Sequence, residues 1–136
     1  MIIEQRFTFK KQEKLKSRKL IEVLFKHGAT FSNFPFRVLY ILLPNNIAPL
    51  QVGFAVSGKH FKKAVDRNRI KRLMREAYRM QKNTLTDSIK KQEKFMAAFF
   101  IYTGNIIPEY EDVDEKIRGA LKRLNKITDE AIAPIT

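Results

Sequence analysis

Leu50-Gln-Val-Gly-Phe-Ala-Val-Ser57, followed at once by a basic run from Lys59 to Lys82, decides how this chain folds. The first stretch is rich in apolar strand formers and reads as a β-strand. The second has the period of a helix. At about 100° per residue, with Ile70 set at zero, Leu73, Met74, Ala77 and Tyr78 fall between about −60° and +80°. Asn68, Lys71, Arg72, Arg75 and Arg79 fall between about 100° and 200°, with Arg67 and Arg69 read as flanks. One face of this helix therefore packs on a sheet, and the opposite face carries cations into solvent.

Working outward, Ser17 is a suitable N-cap for a short helix reaching about Lys26, and Gly28 stands at its C-cap. Phe34 to Leu43 reads as a strand that stops at Pro44-Asn45-Asn46, hairpin-paired with Leu50–Ser57. Phe95 to Tyr102 is almost continuously apolar and suits a buried strand, with Gly104 breaking it. Tyr110 to Ile127 forms a last helix with Val113, Ile117, Ala120, Leu121 and Leu124 on one side. The order is α-β-β-α-β-α, an α+β class two-layer α/β sandwich. Three regions are expected: a flexible basic segment over 1–14, one folded domain over 15–128, and a tail over 129–136.

Charge narrows the function. The 136 residues include 27 Lys and Arg against 14 Asp and Glu, a net charge of +13. Self-repulsion on that scale opposes compaction, so a polyanionic partner is the economical explanation. The charge gathers in two blocks, Arg6–Gly28 and Ser57–Lys82, while Ala29–Val56 holds Arg37 alone. No run approaches the ~20 apolar residues that span a bilayer, and no signal-peptide core opens the chain. With no cysteine, disulfides, thiolate chemistry and Cys-ligated zinc are excluded. The expectation is a cytoplasmic protein without a membrane partner.

Solvated helix faces usually mix charge signs, because opposite charges at i,i+4 stabilise a helix and like charges destabilise it. Here Lys71–Arg75 and Arg75–Arg79 are like pairs, and Glu76 is the one acid from Arg67 to Arg79. Arginine outnumbers lysine there by five to one. Guanidinium forks grip phosphate bidentately and stack on bases, which favours nucleic acid over an anionic membrane. A DNA recognition helix would follow another short helix and a turn, whereas this one follows a strand. The acids Glu109, Glu111, Asp112, Asp114 and Glu115 suit the first turn of a helix through the macrodipole rather than a two-metal nuclease site. His27 and His60 read as surface residues, or for His60 as a phosphate contact, and no phosphate loop or nucleophile elbow is present.

Arg67-Asn68-Arg69-Ile70-Lys71-Arg72-Leu73, followed by Arg75-Glu76-Ala77, resembles the arginine-asparagine-arginine signature of the bacterial ribonuclease P protein family. Leu20–Gly28 is similar to the family's first helix and closing glycine, Phe36–Leu42 to its first strand, and Val52–Ser57 to its second. The resemblance runs over about residues 6 to 127. The chain departs from the family where Leu20 and Ile21 stand one turn before Phe25 in place of an aromatic. It departs again at Gly58, where a lysine is common, and in a Gly58–Asp66 linker one residue longer.

The resemblance implies a left-handed β-α-β crossover, against the usual right-handed rule. It implies a catalytic RNA partner, with magnesium bound by that RNA, no cofactor held by the protein alone and no catalytic residue on it. The pair removes the 5′ leader of precursor tRNA. Arg67, Asn68, Arg69, Lys71, Arg72 and Arg75 match the signature and are the expected RNA contacts, and Arg79 joins them by helical phase. A cleft between the first helix and the sheet would take the single-stranded leader, with Phe25 and Tyr40 as stacking rings and Lys59 as a phosphate contact. A monomer is expected in the absence of RNA. The rival reading is a ribosomal or other structural RNA-binding protein of like size and charge.

Overall fold

The computed structural model describes residues 8–130. After a short 3-10 turn at Lys11–Glu13, the elements are α1 (Arg18–His27), β1 (Ala29–Asn33), β2 (Phe36–Leu43) and β3 (Leu50–Val56). They continue with α2 (Ala64–Gln81), α3 (Asn83–Lys91), β4 (Phe95–Tyr102) and α4 (Tyr110–Glu130). The Ser17 hydroxyl accepts from the Leu20 amide at 3.2 Å and starts α1, and the Gly28 amide donates to Leu24 at 2.8 Å where it ends.

The four strands form one mixed sheet in the order β1-β2-β4-β3. β1 pairs antiparallel with β2, β2 antiparallel with β4, and β4 parallel with β3. The α+β class expected from the sequence holds, but the expected β2–β3 hairpin does not form. β4 lies between those two strands, pairing Tyr40 with Ala98 on one side and Val52 with Ala98 on the other. The reason is burial. β4 is apolar on both faces, so it belongs in the sheet's interior, whereas polar β1 takes an edge. β3 and β4 are then joined by a parallel crossover through α2 and α3.

Two elements were absent from the sequence reading. β1 has only Phe31 as a buried residue, and α3 buries just Leu85 and Ile89, four residues apart. α2 also starts at Ala64 rather than Lys59, because buried Phe61 draws the preceding segment into the core as a loop. α4 runs to Glu130, into the expected tail, while residues 131–136 lie outside the described ones.

The expected flexible segment 1–14 needs correction over residues 8–14; residues 1–7 lie outside the described ones. Phe9 packs edge-on against Tyr78 and Phe54, at 5.5 and 6.1 Å between ring centroids. Glu13 forms an ion pair with buried Lys82, and Lys14 bridges to Val52 along the open edge of β3. Ring packing stabilises this stretch, and Glu13 supplies the counter-charge that buried Lys82 requires, two ties that the polar composition concealed.

The core lies on both faces of the sheet. On one face, Ile70, Met74, Ala77 and Tyr78 of α2 and Val113, Ile117, Ala120 and Leu124 of α4 meet Phe36, Val38, Val52, Met96 and Phe100. Each of the larger aliphatic, Met and Phe side chains contributes about 1.5–3 kcal/mol on burial, and the alanines less. On the other face, Leu24 of α1 packs with Leu15, Leu39 and Ala97, flanked by Ile41, Phe99 and Ile101. Alternation along β2 therefore sends Phe36, Val38 and Tyr40 toward α2 and α4, and Leu39 and Ile41 toward α1.

Candidate nucleic-acid interface

α2 carries its cations where helical phase put them, with two exceptions. Asn68, Arg69, Arg72 and Arg75 are exposed, and Lys71 is half-buried at the flank nearest β3. Arg79 is half-buried and bound through its guanidinium to Glu76, Nη2 to Oε1 at 2.6 Å and Nε to Oε2 at 3.1 Å. That hydrogen bond holds the Glu76 carboxyl below its ordinary range against a smaller opposing effect of burial, so the pair is ionised at neutral pH.

Arg67 is the second exception. Its Nη1 donates to the carbonyls of Phe61 and Lys62, at 2.7 and 2.8 Å. Three residues before Ile70, it lies at about 60° on the same wheel, on the buried side. Its guanidinium therefore turns back to hold the loop that precedes the helix. Of the expected RNA-contact residues, Arg67 is thus a loop-fixing side chain, and Asn68, Arg69, Lys71, Arg72, Arg75 and Arg79 share the outward surface.

The N-terminal segment adds to this surface. Lys14 and Phe9 border a shallow concavity of about 250 Å³ with Arg72, Arg75, Glu76 and Arg79. A second one, about 220 Å³, continues past Lys14 to Lys16 and Lys71. Lys14 escaped the sequence reading because segment 1–14 offered no periodicity to assign it a place, and Lys16 because it lies just ahead of the first helix; the signal was an aromatic residue, Phe9, in a mostly polar stretch.

The expected leader cleft is not one surface. Phe25 is 51 % exposed on α1, and its ring meets Phe99 edge-on at 5.6 Å, on the sheet face that α1 covers. Tyr40 points through the opposite face and packs against Phe31 at 6.0 Å. Strand alternation separates them: Tyr40 lies between Leu39 and Ile41, both of which face α1. Lys59 is exposed in the loop after β3, its amide donating to the Ser57 hydroxyl at 3.4 Å.

A further basic surface was hidden by averaging. The last helix is acidic at its start and basic from Lys116 to Lys126, so its sum looked nearly neutral. Lys122, Arg123 and Lys126 line a concavity with Tyr40, and the Arg123 guanidinium lies 4.3 Å from the Phe31 ring centroid. His27 and His60 are both exposed. Among the described residues, no group of three or more His, Asp or Glu is arranged to hold a metal ion, and no helix is long and apolar enough to cross a membrane.

An α+β domain that leaves one arginine-rich helix face open beside a lysine-bearing edge segment defines a nucleic-acid-binding protein. The ribonuclease P family model matches residues 9–125. The ribonuclease P protein component of Porphyromonas gingivalis strain W83 is 33 % identical over 119 residues, 87 % of each chain. That of Clostridioides difficile is 32 % identical over 115 residues, covering 85 % of this chain and 94 % of its own. The solved ribonuclease P protein from Thermotoga maritima superposes with a TM-score of 0.65 at 27 % identity, over 82 % of this chain and 96 % of that one. This chain belongs to the ribonuclease P protein family.

Proposed function

We propose that this chain is the protein subunit of ribonuclease P, which assists a catalytic RNA in removing the 5′ leader of precursor tRNA. The observation that carries the reading is the exposed stripe of Arg69, Arg72 and Arg75 with Asn68 and Lys71, inside the family signature. The like-charged pairs Lys71–Arg75 and Arg75–Arg79 cost a few tenths of a kcal/mol each, a cost that bound RNA phosphates offset. The catalytic RNA takes this face. The leader runs over the other side of the sheet, where the exposed ring of Phe25 and its neighbour Phe99 form a platform for unpaired bases. Magnesium chemistry belongs to the RNA; the protein contributes charge neutralisation and positioning. In this reading the protein is a monomer without RNA and works in the cytoplasm.

Cleavage of a precursor tRNA at low magnesium, with catalytic RNA alone and with this protein added, tests the proposal. Added protein is expected to restore cleavage, and no restoration would overturn the reading. The rival, a ribosomal protein, predicts that RNA copurified from cells is ribosomal. Recovery of one ribonuclease P RNA decides against it.

A further inference from the structure

We propose that the N-terminal segment is a second wall of the RNA-binding surface, with Phe9 and Glu13 fixing Lys14 beside Arg72 and Arg75 to form a slot for RNA phosphates. The inference rests on the reading of α2 as the RNA-binding face.

The segment is fastened at several points. The Leu15 amide donates to Val52 at 3.1 Å, and the Gln51 side-chain amide donates to the Gln12 carbonyl at 2.9 Å. The Phe9 ring wedges against Tyr78 of α2 and Phe54 of β3. Glu13 accepts from its own turn, the Lys10 amide at 2.7 Å, and also pairs with the side chain of Lys82, which is only 5 % exposed. A buried ammonium needs a carboxylate, so Lys82 at the end of α2 anchors Glu13 and with it the residue that follows. That residue is Lys14, whose Nζ lies 5.7 Å from the Phe9 ring centroid, at the border of both concavities.

The chemistry of the slot is that of a polyanion site. Its walls bring Lys14, Arg72, Arg75 and Arg79 together with one acid, Glu76, already engaged by Arg79. On the far side of Lys14 the walls continue with Lys16 and Lys71. Cations on two facing elements, repelling one another across a groove, suit a chain of phosphates better than a single anion. The groove also shares Arg72 and Arg75 with the open stripe, so one RNA strand would meet both elements. Glu13 and Phe9 are positioning residues; Lys14 is the phosphate contact.

The test measures binding of full-length variants to transcribed ribonuclease P RNA across a salt series. Lys14→Ala is expected to weaken binding about threefold to tenfold and to lower the slope of log K against log salt by about one. Glu13→Gln should weaken binding in the parent but add less than about twofold when Lys14 is already Ala, because its effect passes through Lys14. Since Glu13→Gln strands a buried Lys82, Phe9→Ala is run beside it, with circular dichroism to verify folding; it too should lose its effect in the Lys14→Ala background. An unchanged slope for Lys14→Ala, or full additivity of both partner changes, would overturn the slot. Arg72→Ala with Arg75→Ala separates the two readings. If that pair weakens binding and Lys14→Ala does not, the slot alone fails. If neither does, the assignment of α2 fails with it.

Discussion

The Arg67 guanidinium donates to the Phe61 carbonyl at 2.7 Å, and the Phe61 side chain is buried in the core beneath it. Through the same nitrogen it also holds Lys62. One cation thus closes the loop between β3 and α2, while the arginines one and two turns further on stay open.

Arg67→Ala and Arg72→Ala should therefore separate stability from binding. Loss of Arg67 removes two charge-assisted hydrogen bonds to carbonyls, one of them part-buried, and is expected to cost about 1–2 kcal/mol. Arg72→Ala should shift stability by less than about 0.5 kcal/mol while lowering the salt slope of RNA binding by about 0.9. Urea denaturation of the two variants checks the contrast. Equal midpoints would mean that Arg67 does not hold the loop in solution.

Glu76 is the acid that damps this surface. Its bond to Arg79 keeps the carboxyl ionised at neutral pH, where it repels phosphate and occupies a guanidinium. Glu76→Gln should tighten RNA binding severalfold and steepen its salt dependence, read by filter binding. The pH sign follows from the lowered carboxyl. The pair's small contribution to folding is present above the ordinary carboxylate range and fades as pH falls through the lower folded value. Weaker binding by Glu76→Gln would show that the carboxylate's role is to orient Arg79.

Gly53 sits under the Phe99 ring. A Cβ there would come within 2.7 Å of Phe99 Cε2 and 2.8 Å of Cδ2, so the ring must move. Gly53→Ala is expected to cost about 1–3 kcal/mol and to disturb the Phe25–Phe99 pair. Thermal unfolding and leader affinity should fall together. A stable variant with weakened leader binding would be a sharper result still, whereas no change in either would mean that Phe99 tilts away freely.

The outward stripe of α2 was legible because a helix has one period and its apolar positions fix the phase. The same wheel puts Arg67 on the inner side, so the family signature, not the geometry, drew it into the contact set. Strand order was not legible. Pro44-Asn45-Asn46 looks like a hairpin turn, and nothing local announces that β4, remote in sequence, will enter between β2 and β3. Nor does a sequence say which sheet face a preceding helix covers. The family resemblance joined Phe25 and Tyr40 in one cleft, although parity along β2 already set Tyr40 opposite Leu39. The docking of Phe9 and Glu13 is likewise a long-range event, written in Tyr78 and Lys82 rather than in the segment itself.

Phe25 and Tyr40 give the test that this separation demands. Phe25 is half exposed, so Phe25→Ala should cost about 1 kcal/mol or less in stability. It removes the open ring of the proposed leader platform, and base stacking is worth about 1–3 kcal/mol, so affinity for precursor tRNA should fall about tenfold. Mature tRNA, which has no leader, should be unaffected. Tyr40 packs against Phe31 on the far face beside α4, so Tyr40→Ala should cost about 1–3 kcal/mol of stability and leave leader affinity nearly intact. Holoenzyme binding to both tRNAs, with chemical denaturation alongside, distinguishes the two. If Tyr40→Ala proves the stronger loss for the precursor, the leader follows the face of Lys122, Arg123 and Lys126 instead. The platform at Phe25 would then have to be given up.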